Sequence, residues 1–596
     1  MSRQSGFALA AIAFGGFLLR IAPLLRAGGP LAWGVDYDEG VYFSASALLV
    51  RGVLPYRDFV FVHPPGLLYV LGIVSWLGDP AHAFAAARVL ATIVGAINIF
   101  LVGRIAAEAS GTAAGIAAAA LYATYPDAVS AERGPFLEPV LNLVCLAGAL
   151  AWLRRKPIAA GILGGAACAV KVFGGIWILG ALLSSEERRD VPRFLGGAAL
   201  AGALLVGPLF IFAPHAFIEQ TLLFHAWRPP DGIVSRTARL PEILGGGHVV
   251  ATILAAVALL SLLLLRATRA ERLFAVAGVL TALSFLASSS YWNQYNAHLA
   301  ASECVLAGLG AAFLMRSLDP RAAAVVALLL AIPSAWQSLI ASRGGPTELP
   351  AIGAIVRDSV PASDCVVTFE PQWSLAAGRL PVVVDSYGTM LLDAVRGGVK
   401  FPDTATAFQS PRAQPLARNR LARCHFAILG WRGNWQMNAE SRAWFTSQFV
   451  CDTPSAGDLC LWERWGPSHR TSIAFGDGWY GEEGMPPHSW RWMGARSTAT
   501  LPALAGGARL ELAFEVPQAN LPATITVALN GRVVDRYVET RTTSARAYDA
   551  EGKETQLVIT TSRTISPSRL GVSADTRELG LKLDRIVWLH VEHHTK

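Results

Sequence analysis

Residues 36–66 read DYDEGVYFSASALLVRGVLPYRDFVFVHPPG, directly after the first apolar segment of the chain and leading into a second. The stretch groups Asp36, Asp38 and Glu39, and ~25 positions later it presents His63-Pro64-Pro65. Acids beside a membrane span are costly to desolvate and are retained there for a reason. Carboxylates at i, i+2 and i+3 suit either of two roles. At a helix start they cap free N–H groups. Alternatively, one of them is a general base whose pKa is lifted toward neutrality by partial burial. Spacing alone does not choose among the three. The prolines stiffen the chain and open a helix; His63 is placed to hydrogen-bond an acid or a phosphate, or is an ordinary loop histidine.

Working outward, the 596 residues are 53% hydrophobic and only 16% charged, with a mean hydropathy of +0.41. A soluble domain is about 25% charged, so the composition is that of a membrane protein. The apolar residues concentrate in 1–341, and 342–596 is ordinary in composition. The net charge of +7 follows from Lys and Arg in cytoplasmic turns; no basic stripe interleaved with aromatics points to nucleic acid. The basic, apolar N-terminus lacks a small-x-small cleavage site and reads as an uncleaved first span.

About eleven spans are predicted, at 6–25, 82–105, 112–126, 138–153, 157–171, 174–186, 194–213, 247–265, 273–289, 298–315 and 321–341, several of them short of the ~20 residues a crossing needs. The run 64–78 is predicted as an interfacial or re-entrant helix. Every basic cluster between spans (Arg104, Arg154-Arg155-Lys156, Arg188-Arg189-Arg193, Arg266 to Arg272, Arg316 and Arg321) then falls on one side, as the positive-inside rule requires. The acid loop and the tail fall on the other.

The tail divides into a small α/β domain over 342–466 and a β-sandwich of jelly-roll type over 467–596. Strands are predicted at Cys365–Phe369, Pro381–Asp385 and Phe426–Gly430, with a helix over 435–449. In the second part Leu510–Phe514 alternates, and Asn530-Gly531 joins two strands in the strongest short hairpin signal. Cys365, Cys424, Cys451 and Cys460 allow two disulfides if the tail is extracytoplasmic. The hairpin-sized gap favours Cys451 with Cys460. His593-His594 reads as a solvated tail.

Further chemistry-bearing residues cluster at the predicted outer ends of spans. Arg133 and Glu138 suit a phosphate or sugar and an acceptor, or are snorkelling and capping residues. Lys171 is alone among ~25 uncharged residues, costly unless it meets an anion or an ion-pair partner. It would stabilise a phosphate leaving group. In the Tyr291–His298 stretch, Gln294, Tyr295 and His298 offer contacts to sugar or phosphate. His215, His225, Trp227 and Arg228 form a weaker group that would line a glycan entrance.

At these residues the chain resembles the GT-C glycosyltransferases, polytopic enzymes that use polyprenyl-phosphate sugars, and above all the protein O-mannosyltransferases and the lipid A aminoarabinose transferase. Asp38-Glu39 followed by His63-Pro64-Pro65 is similar to the mannosyltransferase DE motif with its downstream HPP; the aminoarabinose branch has Lys where His63 stands. Arg133 with Glu138 resembles the family's Arg and acid of the second outer loop, and Lys171 the Lys after the fifth span.

The resemblance covers about residues 1–341. It implies an inverting transfer from a polyprenyl-phosphate sugar, with Asp38 as base and Glu39 supporting it or binding acceptor. Lys171, Arg133, His298 and His63 would be at the donor phosphate, and Glu138, Asp36, Gln294 and Tyr295 at acceptor or sugar. It further implies a multi-pass protein of a bacterial inner membrane, with its active site and tail extracytoplasmic. The tail lacks the β-trefoil-type insertion of eukaryotic protein mannosyltransferases, which favours a glycan or glycolipid acceptor over protein. Phe475–Tyr480 and Trp490–Met493 resemble β-sandwich modules appended to bacterial surface-polysaccharide enzymes. A transporter or flippase of a lipid-linked glycan is the rival reading; it would place polar groups near mid-membrane on broken helices. Members of the fold work with or without a divalent ion, and carboxylates alone fit either.

Overall fold

The computed structural model describes residues 3–264, 267–342, 347–362, 364–454, 460–464, 473–485, 488–504 and 507–591. The chain forms two compact units, Met1–Cys424 with Ile428–Ser441, and His425–Ala427 with Arg442–Lys596.

Among the described residues of the first unit, five helices are long and apolar enough to cross a membrane: Ser5–Leu25, Pro80–Ser110, Arg269–Ala287, Asn293–Leu314 and Arg321–Ala341. Arg236–Leu244 and Val249–Leu262, bent by 88°, make a sixth if taken together. The difference from the predicted eleven lies mostly in the middle of the chain. There Thr112–Ala123, Leu137–Leu153, Pro157–Val170 and Gly174–Leu183 are apolar but short. At 1.5 Å per residue they reach ~15–25 Å, against ~30 Å of hydrocarbon. The break between the last two is Lys171 itself, held extended at φ −152°, ψ 142°. The 64–78 run contains the nine-residue helix Gly66–Val74, ~14 Å long and too short to cross alone.

Helices 157–170 and 190–205 pack through small residues: a Cβ on Gly161 would lie 1.9 Å from the Phe194 carbonyl oxygen, and one on Gly197 2.4 Å from that of Ile158. Only glycine permits this approach. At one end of the helices the basic turns are tied together by acids. Glu108 pairs with Arg104 and Arg154, each at 2.6 Å, and Glu186 pairs with Arg155 and with Arg272 at 2.8 Å.

Residues 347–424 and 428–441 belong to this same unit. Val366–Thr368 is a strand, as is Phe426–Leu429. Pro381–Asp385, expected as a strand, is irregular. Its last residue instead caps helix Ser386–Val395, accepting from the Gly388 N–H at 2.7 Å. The helix expected over 435–449 is two, Trp431–Gln436 and Ala439–Gln448. The disulfide that forms is Cys365–Cys424; the side chains of the preferred pair, Cys451 and Cys460, lie outside those described.

The second unit holds a sandwich of two five-stranded antiparallel sheets. One runs Arg532–Glu539, Ala523–Leu529, Thr555–Thr561, Arg496–Leu501, Ala474–Phe475; the other runs Thr543–Ala550, Gly507–Glu515, Lys582–Val591, His488–Met493, Trp479–Met485. Alternate residues such as Leu510, Leu512, Ile525, Val527 and Ile559 fill the core between them. Asn530 and Gly531 have φ of 51° and 79°, the left-handed pair of a type I′ hairpin. Trp479, in the Phe475–Tyr480 stretch, packs against this core and donates its indole N–H to Thr498 O at 2.8 Å. His593-His594 lies outside the described residues.

Candidate active site

The acid loop resolves into three carboxylates with three fates. Asp36 is the N-cap of helix Tyr37–Leu49 and accepts from the Asp38 N–H at 2.9 Å. Glu39 reaches back to the Asp36 N–H at 2.9 Å, completing a capping box. Its other oxygen meets the Arg88 guanidinium at 2.8 Å, both side chains buried. Arg88 also donates to the carbonyls of Pro30, Trp33 and Gly34, fixing the loop before the helix. Asp36 and Glu39 are therefore occupied by structure. Asp38 is half-buried and its carboxylate faces a cavity, where Gln294 Nε2 donates to it at 3.1 Å.

The cavity measures about 270 Å³ and lies wholly within the first unit. Burial, reinforced by the neighbouring Asp36 charge, pushes the Asp38 carboxyl up to about 7. On another wall Lys171 Nζ donates to Glu138 Oε1 at 2.6 Å and sits 4.3 Å from the Tyr295 ring centre. A lysine has three N–H donors, so its pairing with Glu138 leaves others for a ligand. The extended backbone that breaks the helix at Lys171 is what delivers this side chain to the cavity.

His63 lies 3.3 Å from the Tyr42 hydroxyl and is packed against His225, ring centres 5.6 Å apart. Burial, with the charges about it, holds His63 well below the usual histidine range and brings His225 down to about 4. Both are neutral near pH 7 and act as hydrogen-bonding groups rather than cations. Arg228 pairs with Asp231 at 2.8 Å and lies 3.3 Å from the Tyr387 hydroxyl, which itself donates to Asp231.

The structure thus gathers Asp36, Asp38, Glu138, Lys171, His63, Gln294 and Tyr295 around one cavity. Three expectations are corrected. Glu39 does not reach it, because the cap and Arg88 consume its carboxylate. Arg133 turns away to Leu19 O and Ser342 Oγ. His298 is buried in the helix bundle, accepting from Trp177 Nε1 at 3.3 Å and bonded through Nδ1 to Asn142 Oδ1 at 2.8 Å, so both ring nitrogens are spent.

The sequence reading missed Asp231, Asp385, Tyr387, Trp431, Arg432 and Trp435, all of which line the cavity. Asp385 accepts from the Tyr37 hydroxyl at 2.9 Å, linking it to the acid-loop helix. The signal was present in outline: Asp385 is an acid ending an apolar run, as in the Asp36 loop, and Trp431-Arg-Gly-Asn-Trp435 joins two indoles to a guanidinium. Among the described residues, no three His, Cys, Asp or Glu side chains converge in a way that would hold a metal ion.

The family model described as Glycosyltransferase family 87 matches residues 61–289. No curated protein matches the chain. Among solved structures, ArnT from Cupriavidus metallidurans bound to undecaprenyl phosphate superposes with a TM-score of 0.54 at 13% identity, over 78% of this chain and 99% of that one. Its apo form gives 0.53 at 13%, over 77% and 98%. The Archaeoglobus fulgidus oligosaccharyltransferase gives 0.48 at 12%, over 98% and 97%.

Proposed function

We propose that this membrane glycosyltransferase of GT-C fold moves a sugar from a polyprenyl-phosphate donor to an extracytoplasmic glycan or glycolipid acceptor, inverting the anomeric centre. The observation that carries the reading is the separation of the acid cluster. Of three adjacent carboxylates, Asp38 alone is free of cap and ion pair, and it shares its cavity with Lys171.

In this reading the acceptor hydroxyl oxygen attacks the anomeric carbon from the face opposite the phosphate. Its proton passes to Asp38, whose raised pKa suits a base working near neutrality. The bond from the anomeric carbon to the phosphate oxygen breaks, and its electron pair leaves with the polyprenyl phosphate. The phosphate gains one negative charge, which Lys171 Nζ stabilises as it develops. Neutral His63 and the Tyr295 ring border the same space. Glu138 holds Lys171 in place and keeps the empty cavity from carrying an uncompensated cation.

Consumption of a radiolabelled polyprenyl-phosphate sugar by the purified protein tests this directly. Asp38→Asn is expected to abolish transfer while donor binding persists. Full activity in that variant would remove Asp38 from the chemistry.

A further inference from the structure

Three cations line the cavity, and they are not equivalent. Lys171 is neutralised by Glu138 and Arg228 by Asp231. Among the described residues, the Arg432 guanidinium makes no ion pair or hydrogen bond at bonding distance, although the carboxylates of Asp38, Glu370 and Asp385 lie near enough to act on its charge; its backbone N–H donates to Glu370 Oε1 at 3.1 Å. Its guanidinium instead lies over an aromatic surface, with Cζ 3.7 Å from the Tyr37 ring centre and 5.7 Å from that of Trp431. A cation–π contact of this kind holds the guanidinium in place while leaving its N–H donors unspent.

The surroundings of Arg432 differ from those of Lys171. Lys171 sits at a break between two apolar helices, the place given to the donor phosphate in the transferase reading. Arg432 sits on helix Trp431–Gln436 of the soluble segment, between two indoles that also line the cavity. Trp431 and Trp435 stack with ring centres 5.2 Å apart and planes 16° apart, and Trp431 is 69% exposed. A flat exposed indole beside a planar cation is a surface for a sugar ring that carries an oxyanion. The carbon face of the ring covers the indole, and the anion takes two parallel N–H bonds from the guanidinium.

We infer that Trp431, Arg432 and Trp435 form the acceptor subsite and that it selects an acidic saccharide. This rests on the transferase reading above and extends it by naming the acceptor class. Arg432 acts by binding the acceptor's anion, and the donor phosphate stays with Lys171.

The test measures binding of two probes to the full-length protein in nanodiscs: undecaprenyl phosphate, and a galacturonate trisaccharide set against its neutral galactose counterpart. The wild type is expected to bind the acidic trisaccharide at least tenfold more tightly than the neutral one. In Arg432→Gln that preference disappears while undecaprenyl phosphate binds as before, which also shows the variant to be folded. Arg432→Lys should restore part of the preference, since the charge returns without the planar fork. Trp431→Ala should weaken both trisaccharides alike.

Equal binding of the two trisaccharides by the wild type, or binding of neither, overturns the inference. So does an Arg432→Gln variant that loses undecaprenyl phosphate and keeps the trisaccharide preference, which would assign the guanidinium to the donor. A wild type that fails to bind undecaprenyl phosphate at all would instead sink the transferase reading beneath it.

Discussion

Asp36, Asp38 and Glu39 share one helix turn, yet their environments differ: Asp38 faces the cavity, while Asp36 caps the helix and Glu39 meets Arg88. With the Asp38 carboxyl at about 7, it is protonated and inert as a base in mild acid. Transfer should therefore rise with pH through about 7 and level off above it, and measured kcat/KM should trace that single limb. In Asp38→Asn the limb vanishes with the activity, a loss on the order of 10²–10⁴-fold for a general base. The same shift carries a stability cost of known sign. The folded-state pKa lies above the unfolded value, so the folded protein holds the proton more tightly, and stability is lost as pH rises from about 4 to about 7. Asp38→Asn should accordingly raise the melting temperature at pH 8 and change it little at pH 4. Glu39 differs in its partner: its carboxylate, also pushed up to about 7 by burial, is held by the Arg88 guanidinium and the helix cap. Glu39→Ala leaves Arg88 buried without its carboxylate and should destabilise the protein by about 3–5 kcal/mol, seen as a drop in thermal midpoint at neutral pH.

Elements carry these side chains to one place through close backbone contacts. A Cβ at Gly66 would lie 2.7 Å from the carbonyl oxygen of Ala169, a backbone atom with no room to retreat. Helix 66–74 thus leans directly on the end of helix 157–170, which brings His63 and Lys171 to the same cavity. Gly66→Val should force the two helices apart, raising the KM for donor at least tenfold while the protein remains inserted; an unchanged KM would show that the contact does not set the site. The sequence made the parts legible at this scale wherever one local signal decided them: the acid cap, the Pro-Pro helix start, the Asn530-Gly531 hairpin, the lone Lys171. It failed where burial or long-range pairing decided. Nothing local separates Glu39 from Asp38, because the separating partner, Arg88, is ~50 positions away on another helix. His298 has the pattern of a mouth residue and is instead consumed by Trp177 and Asn142. The irregular Pro381–Asp385 run has strand composition, but the Asp385 cap and its bond to Tyr37 override that preference.

Across the whole first unit the charges sort by end. Helix Leu137–Leu153 opens with Glu138 in the cavity and closes at Arg154 in the Arg–Glu cluster, ~25 Å further along at 1.5 Å per residue. The basic end has the composition of a cytoplasmic face. The cavity end shares its compact unit with Asp385 and Arg432, and the loop that carries Asp385 is closed by Cys365–Cys424. A disulfide persists in an oxidising compartment, so basic turns at one end and a disulfide beside the other both support the proposed extracytoplasmic cavity. The bond closes a loop whose sequence separation is 59, and chain entropy values such a closure at about 4 kcal/mol; Cys365→Ala should lower stability by up to that amount. Orientation itself is open to a labelling experiment. In sealed right-side-out vesicles, a membrane-impermeant reductant followed by an impermeant maleimide should modify Cys365 and Cys424, identified by peptide mass. A cysteine introduced at Arg155 should react only after the membrane is opened. The opposite pattern would put the cavity on the cytoplasmic side, and the extracytoplasmic acceptor would have to be abandoned while the acid–lysine chemistry of the cavity stood.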